Sequence, residues 1–191
     1  MKRRCYTHYI NSVIRNLVKM KKVDDLKMKF ADSNWSELIQ ISDELVNIGG
    51  ENVVSFFIEQ LSSSSCDRRN AAALGLREIG HDSATKFLID GVLNPIEHNQ
   101  CGTLAYALEK HDCSMEFVNI FRILFYSNYE CKLHAHNILN EQEFVFTNRE
   151  LFEVKSMWNE CQKNPKKYPG FEELKDCIEE DVDSFLGYLS E

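Results

Sequence analysis

CDRRNAAALGLREIGHDSATKFLIDGVLNP, residues 66–95, is the stretch from which the fold can be read. Ala72, Leu76 and Ile79 recur at helical spacing with Ala71 and Gly75 beside them, and Gly80 ends the run as a helix C-terminal glycine does. Ser83 then stands where it can cap a second helix, with Ala84, Phe87, Leu88 and Val92 on one face, before Asn94-Pro95 stops it. Two short antiparallel helices are predicted. The small residues Ala71, Ala72, Ala73 and Gly75 let neighbouring helices approach closely, as stacked hairpins require.

The same phase recurs on both sides. At a shift of 31, Leu45, Ile48 and Gly49 match Leu76, Ile79 and Gly80, and Phe56, Phe57 and Ile58 match Phe87, Leu88 and Ile89. At a shift of 30, Gly102, Leu104, Tyr106, His111, Asp112 and Phe117 match Ala72, Leu74, Leu76, His81, Asp82 and Phe87. Self-similarity at such a period is the mark of a helical repeat. Arg69, Ala71, Ala72, Leu76, Ile79, Gly80, Ala84, Leu88 and Ile89 carry a resemblance to the HEAT-like repeat family in its short bacterial form. That resemblance implies an all-α fold: an α-α superhelix, a right-handed solenoid of three to four helical hairpins with helical caps, its second helices lining the concave face.

A fourth, degenerate unit is expected from Tyr129. Leu133, His136 or Asn137, Ile138 and Leu139 would mark its first helix, and TNRE, residues 147–150, is a capping box for a longer second one lined by Leu151, Val154, Trp158 and Cys161. NPKKYPG, residues 164–170, breaks that helix. A last helix carries Phe171, Leu174, Ile178, Phe185, Leu186 and Leu189 on one side and acids on the other. Helices over about Cys5–Lys21 and Val23–Phe30 would cap the opposite end. The expected organisation is one domain, 1–191, with N-terminal cap helices in 1–32, repeats in 33–163 and an acidic C-terminal cap in 170–191.

Composition agrees with a globular helical chain. Hydrophobic residues make up 43% and charged residues 27%, while three prolines and eight glycines are too little punctuation for a many-stranded fold. His8, Asn11, Arg15 and Asn16 interrupt what would be the apolar core of a signal peptide, and no stretch has the apolar length of a membrane helix. Seven cysteines, an odd number without a regular framework, fit reduced thiols, so a cytoplasmic location is expected.

The net charge of −8 is unevenly distributed. Residues 1–29 hold nine Lys and Arg against Asp24 and Asp25, for +7. Residues 170–191 hold eight acids, Asp181 and Glu191 among them, against Lys175, for −7. An acidic body repels phosphate backbones and favours a basic protein as partner; nucleic acid and membrane are not expected partners.

Motifs for chemistry are sparse. His98, Cys101, His111, Cys113, Cys131, His134 and His136 gather within one region, and Cys131 and His134 lie one helical turn apart, as zinc ligands can. Buried Cys filling the contacts of stacked repeats accounts for the same pattern, and no metal or other cofactor is expected. There is no GxSxG, no HExxH and no phosphate-binding glycine loop, so no catalytic residue is assigned and the chain is not expected to be an enzyme. Some HEAT-like proteins are DNA glycosylases and others are bilin lyases or proteins acting beside them, so a HEAT-like DNA glycosylase or lyase stands as the enzymatic alternative, although the acidic middle departs from a basic duplex-gripping groove and no residue is marked for lyase chemistry. His81-Asp82 and His111-Asp112 recur between helices, either as equivalent loop contacts or, preferentially, with Asp capping the second helix beside Ser83 or Ser114. The stretch MEFVNIFRILF, apolar almost all round, is expected inside, with Phe121 or Phe125 facing a partner as the alternative.

A solenoid offers broad surfaces, so binding is the expected role. Polar residues beside the apolar stripes of the second helices are the contact candidates: Glu59 and Gln60, Lys86 and Asp90, Asn119 and Arg122. The acids Glu172, Glu173, Asp176, Glu179, Glu180 and Asp183 form a second candidate surface. The specific expectation is an immunity protein that neutralises a basic bacterial toxin by covering it, as monomer or heterodimer. A scaffold or regulatory subunit is the runner-up.

Overall fold

A computed structural model describes the backbone of residues 2–94 and 101–190 and the side chains of residues 17–94 and 101–189. The basic side chains up to residue 16, Pro95 and His98 therefore lie outside the described residues. The chain is all-helical: α1 (Lys2–Asp32), α2 (Trp35–Ile48), α3 (Glu51–Gln60), α4 (Cys66–Ile79), α5 (Thr85–Leu93), α6 (Gly102–Leu108), α7 (Phe117–Tyr126), α8 (Tyr129–Glu141), α9 (Asn148–Lys163) and α10 (Lys175–Leu186). No helix among the described residues is long and apolar enough to cross a membrane. The chain divides into two compact units, Met1–Gly75 and Leu76–Glu191.

In the first unit α1 is one continuous helix, where two were expected over Cys5–Lys21 and Val23–Phe30. No glycine or proline stands between residues 2 and 32, so nothing in the backbone forces a break. Val23, Leu26 and Phe30, at i, i+3 and i+7, are its buried face. Asn34 starts α2 with a capping box closed by Glu37. Leu38, Ile41 and Leu45 of α2 and Val53, Val54, Phe56 and Phe57 of α3 complete the core, with the Phe30 ring edge-on to Phe56 at 5.3 Å. Small residues of α4 come in close beneath: Ser42 donates to the carbonyl of Ala71, and a Cβ on Gly75 would sit 2.7 Å from the buried Phe57 ring.

In the second unit, helices two apart pack side by side: α5 with α7, α7 with α9, α6 with α8, and α8 with α10. The sequential neighbours α5 and α6, and α7 and α8, close the layers on each other. α7 is buried nearly all round through Phe117, Ile120, Phe121, Ile123, Leu124 and Phe125, so Phe121 and Phe125 are core and face no partner. Leu151, Val154, Trp158 and Cys161 are buried on α9, whose N-terminus carries the predicted Thr147–Glu150 capping box.

Several local expectations change. Gly80 ends α4 at φ 62°, as Gly49 ends α2 at φ 62°, 31 residues earlier; both are left-handed positions that glycine takes at least cost. Ser83, however, does not cap α5. A 3-10 turn over Asp82–Ala84 comes first, and the His81 ring nitrogen accepts from the Ser83 N–H at 3.3 Å, so His81 rather than Asp82 is the capping side chain. In the second loop Asp112 accepts from the Ser114 N–H at 2.9 Å, but α7 begins after Glu116 with no side-chain cap, so Asp112 closes a turn and does not cap that helix. The two histidines are not equivalent contacts, because His111 is buried, its ring facing the backbone of Leu76 and His81, and burial holds its pKa low. Phe87 is 48% exposed and Ile89 takes the expected inward place. On α8 the inward stripe is Cys131, Lys132, Ala135, Ile138 and Leu139, leaving Leu133 half-buried and Asn137 exposed. The final helix is shorter than expected: Phe171–Leu174 is a turn ahead of α10, and Gly187–Ser190 a 3-10 turn after it.

Lys132 is fully buried, and its ammonium donates to the carbonyls of Leu124 and Phe125 at 2.8 and 2.6 Å. These carbonyls lie in the last turn of α7, where the helix leaves acceptors unmet and the dipole favours a cation. Burial nevertheless pushes the Lys132 pKa down to about 8. The unfolded lysine, near its ordinary value, holds its proton to higher pH. The cost of burying the charge is therefore present below pH 8 and is relieved as pH rises toward about 10.5, up to about 3 kcal/mol. Wild type should gain stability over that window relative to Lys132→Met, read from urea unfolding across the pH range; parallel pH profiles would contradict it. Gly75→Ala, which drives a methyl into the Phe57 ring, should cost about 1–3 kcal/mol by the same measurement.

Candidate binding surfaces

The candidate residues fall into separate groups. Glu59 is exposed and Gln60 half-buried at the end of α3, in the first unit. Lys86 and Asp90 are exposed on α5, with the exposed Phe87 ring between them in sequence. Asn119 and Arg122 sit together on α7 and are joined by a hydrogen bond from the Arg122 guanidinium to the Asn119 side-chain oxygen at 2.8 Å.

Asn119 and Arg122 line an open groove of 540 Å³ between α7 and α9, with Met115, Glu116, Val118, Arg149 and Glu153 around them. Glu116 accepts from Asn119 at 2.7 Å, and Glu153 accepts from Arg122 at 2.7 Å. Arg122 and Glu153 remain about two-fifths exposed, so the pair contributes little net stability, roughly 0–1 kcal/mol. Its effect is on geometry: the guanidinium is held across the groove floor. Glu116 and Glu153 were not among the sequence candidates. The signal for Glu153 was present, because it lies 31 residues from Arg122, the same shift at which the sequence matches itself elsewhere.

The acidic surface is built differently. Ile178, Asp181, Val182 and Phe185 form the inward stripe of α10, spaced i, i+3, i+4 and i+7, and Asp176, Glu179, Glu180 and Asp183 stand exposed around it. Glu172 and Glu173 are exposed in the preceding turn. None of these six acids pairs with a base among the described residues.

Asp181 departs from the expected solvated acidic face. It is 3% exposed, its two oxygens bonded to the His136 ring nitrogen at 2.9 Å and the Asn140 amide at 2.8 Å, both on α8. Burial raises its pKa, and the bonds to His136 and Asn140 oppose that rise only in part. A carboxyl raised in the fold contributes less stability once pH climbs from the ordinary carboxylate range through its raised value.

A third polar cluster joins α4, α6 and α8 within the second unit. The Arg77 guanidinium lies 3.6 Å from the centre of the Tyr106 ring and donates to the Tyr106 carbonyl. Glu109 accepts from His134 at 2.8 Å and Asn137 at 3.0 Å, and Arg77 stands 3.4 Å away. Burial works to raise the Glu109 carboxyl, but Asn137, His134 and Arg77 outweigh it and hold it below the usual range.

The histidines and cysteines considered as metal ligands thus turn to different partners: His134 to Glu109, His136 to Asp181, and Cys131 to Cys101. Among the described residues no three His, Cys, Asp or Glu side chains gather in a metal-binding geometry. No family model matches the chain, and neither a curated protein nor a solved structure significantly similar to it was found.

Asp181→Ala removes the acceptor that His136 and Asn140 share, the Asn140 amide keeping the His136 carbonyl at 2.9 Å, and opens the α8–α10 contact. It should cost about 2–3 kcal/mol, with Asp181→Asn milder, measured by urea unfolding.

Proposed function

We propose that the chain is a non-enzymatic, HEAT-like protein-binding module whose acidic C-terminal surface engages a basic partner protein, most specifically as an immunity protein covering a basic bacterial toxin. The observation that carries this reading is the set of six exposed acids from Glu172 to Asp183, unpaired with bases among the described residues, two in the turn before α10 and four on α10, whose opposite face is buried. Charges left unsatisfied within a fold raise the rate at which an oppositely charged surface finds it and fix the orientation in which it docks. The groove between α7 and α9, with Asn119 and Arg122 held in fixed positions and Met115 exposed at its edge, offers the same partner a polar and apolar foothold on the second helices. The HEAT-like assignment is supported by hydrogen bonds that recur between residues one repeat apart.

Co-expression with the product of the adjacent open reading frame tests the proposal. A complex is expected whose affinity falls at least about tenfold between 50 and 300 mM salt. The exposed triple variant Glu179→Lys, Glu180→Lys, Asp183→Lys should weaken it further while retaining the helical circular-dichroism spectrum. No complex, or one indifferent to both salt and charge reversal, would remove the basis of the reading.

A further inference from the structure

We propose that Cys101 and Cys131 are a redox pair that closes into a reversible intramolecular disulfide, stapling the N-terminal ends of α6 and α8. Their sulfurs stand 3.0 Å apart, inside ordinary contact distance, and both side chains are buried. Cys101 immediately precedes α6, and Cys131 lies in the first turn of α8.

The surroundings bring the two segments close through contacts other than the sulfur pair itself. Asn128 caps α8 by accepting from the Cys131 N–H at 3.0 Å, and its amide points to the Cys101 sulfur at 3.6 Å. The neighbouring Gly102 runs so close to Glu130 that an added Cβ would fall 2.2 Å from the carboxylate oxygen. Bond formation at about 2.05 Å needs the sulfurs to close by roughly 1 Å, a side-chain movement rather than a rearrangement of helices. The pair is singled out among the described cysteines: Cys113, also buried, directs its thiol to the Leu108 carbonyl instead.

The reaction needs an oxidant, a small-molecule disulfide. The Cys101 thiolate attacks one sulfur of that disulfide, forming a mixed disulfide and releasing one small thiolate. The Cys131 thiolate then attacks the Cys101 sulfur, forming the protein disulfide and releasing the second. The two protons lost by the protein thiols end on the two released thiols, so one protein disulfide forms for each small disulfide reduced. Hydrogen bonding to Cys101 and burial both hold the Cys131 thiol protonated, so closure is slow and accelerates with pH. The link spans 30 residues and encloses α6 and α7.

Incubating the purified full chain with hydroxyethyl disulfide tests this, with intact mass and peptide mapping as readouts. The expected product is lighter than the reduced chain by about 2 Da, reverts with dithiothreitol, and yields a single cross-linked peptide joining Cys101 to Cys131. Its Tm should rise by about 5–10 °C over the reduced form. Cys131→Ala, which lacks the resolving thiol, should stop at a mixed-disulfide adduct on Cys101, while Cys113→Ala should close normally. Mapping on the wild-type chain requires no variant to fold. A cross-link through another cysteine, or Cys101 and Cys131 both recovered as alkylatable thiols after prolonged oxidation at pH 9, would overturn the proposal.

Discussion

Residues about 30 positions apart in the chain lie close enough for their side chains to bond, and the rest of the structure depends on that proximity. Ser42 reaches the Ala71 carbonyl, Arg77 that of Tyr106, Cys101 meets Cys131, Gln142 bonds the Cys113 N–H, and Arg122 meets Glu153, at separations of 29, 29, 30, 29 and 31 residues. Such contacts require small residues or glycine where helices approach most closely. Ala71, Ala72, Ala73 and Gly75 meet that need in the first unit, and Gly91 does so in the second, where an added Cβ would fall 2.6 Å from Leu104. Larger side chains at these sites would hold the helices apart and break the polar contacts along with the apolar ones.

Most of the helix boundaries were legible in the sequence because they are set by local chemistry. Gly49 and Gly80 stop helices by a left-handed backbone, and Thr147 with Glu150 starts one by a capping box. What was not legible depends on partners distant in sequence. Phe87 has the spacing of an inward residue, yet Ile89 occupies that place and the ring is left outside. Periodicity cannot choose between two apolar neighbours on adjacent faces; packing does. The joining of the two expected N-terminal helices into α1 is the reverse case: no glycine or proline interrupts residues 2–32, so helix-compatible backbone runs on unbroken.

The polar contacts followed the same division. The exposed acids of α10 were recoverable from composition alone, but Lys132 and Asp181 were not, although each occupies a position in an inward stripe: Lys132 with Ala135 and Leu139, Asp181 with Ile178 and Phe185. A charged residue in phase with the core signals a buried partner, and the partners here are helix-end carbonyls in one case and His136 with Asn140 in the other. Such groups are costly to bury and costly to orphan, so they constrain how neighbouring helices turn.

That constraint bears on the recognition proposed for the acidic surface. An amphipathic helix held only by apolar contacts can rotate by a few tens of degrees at small cost, because hydrophobic burial is non-directional. Asp181 removes this freedom from α10, since both of its oxygens must keep their donors on α8. Rotation would bring a desolvated carboxylate away from its partners, so the stripe containing Ile178 and Val182 stays inward and Asp176, Glu179, Glu180 and Asp183 stay outward. An acidic surface presented at a fixed angle loses less orientational entropy on docking than one on a loosely seated helix. The buried acid of the terminal helix is thus the one that fixes the direction in which its exposed neighbours point.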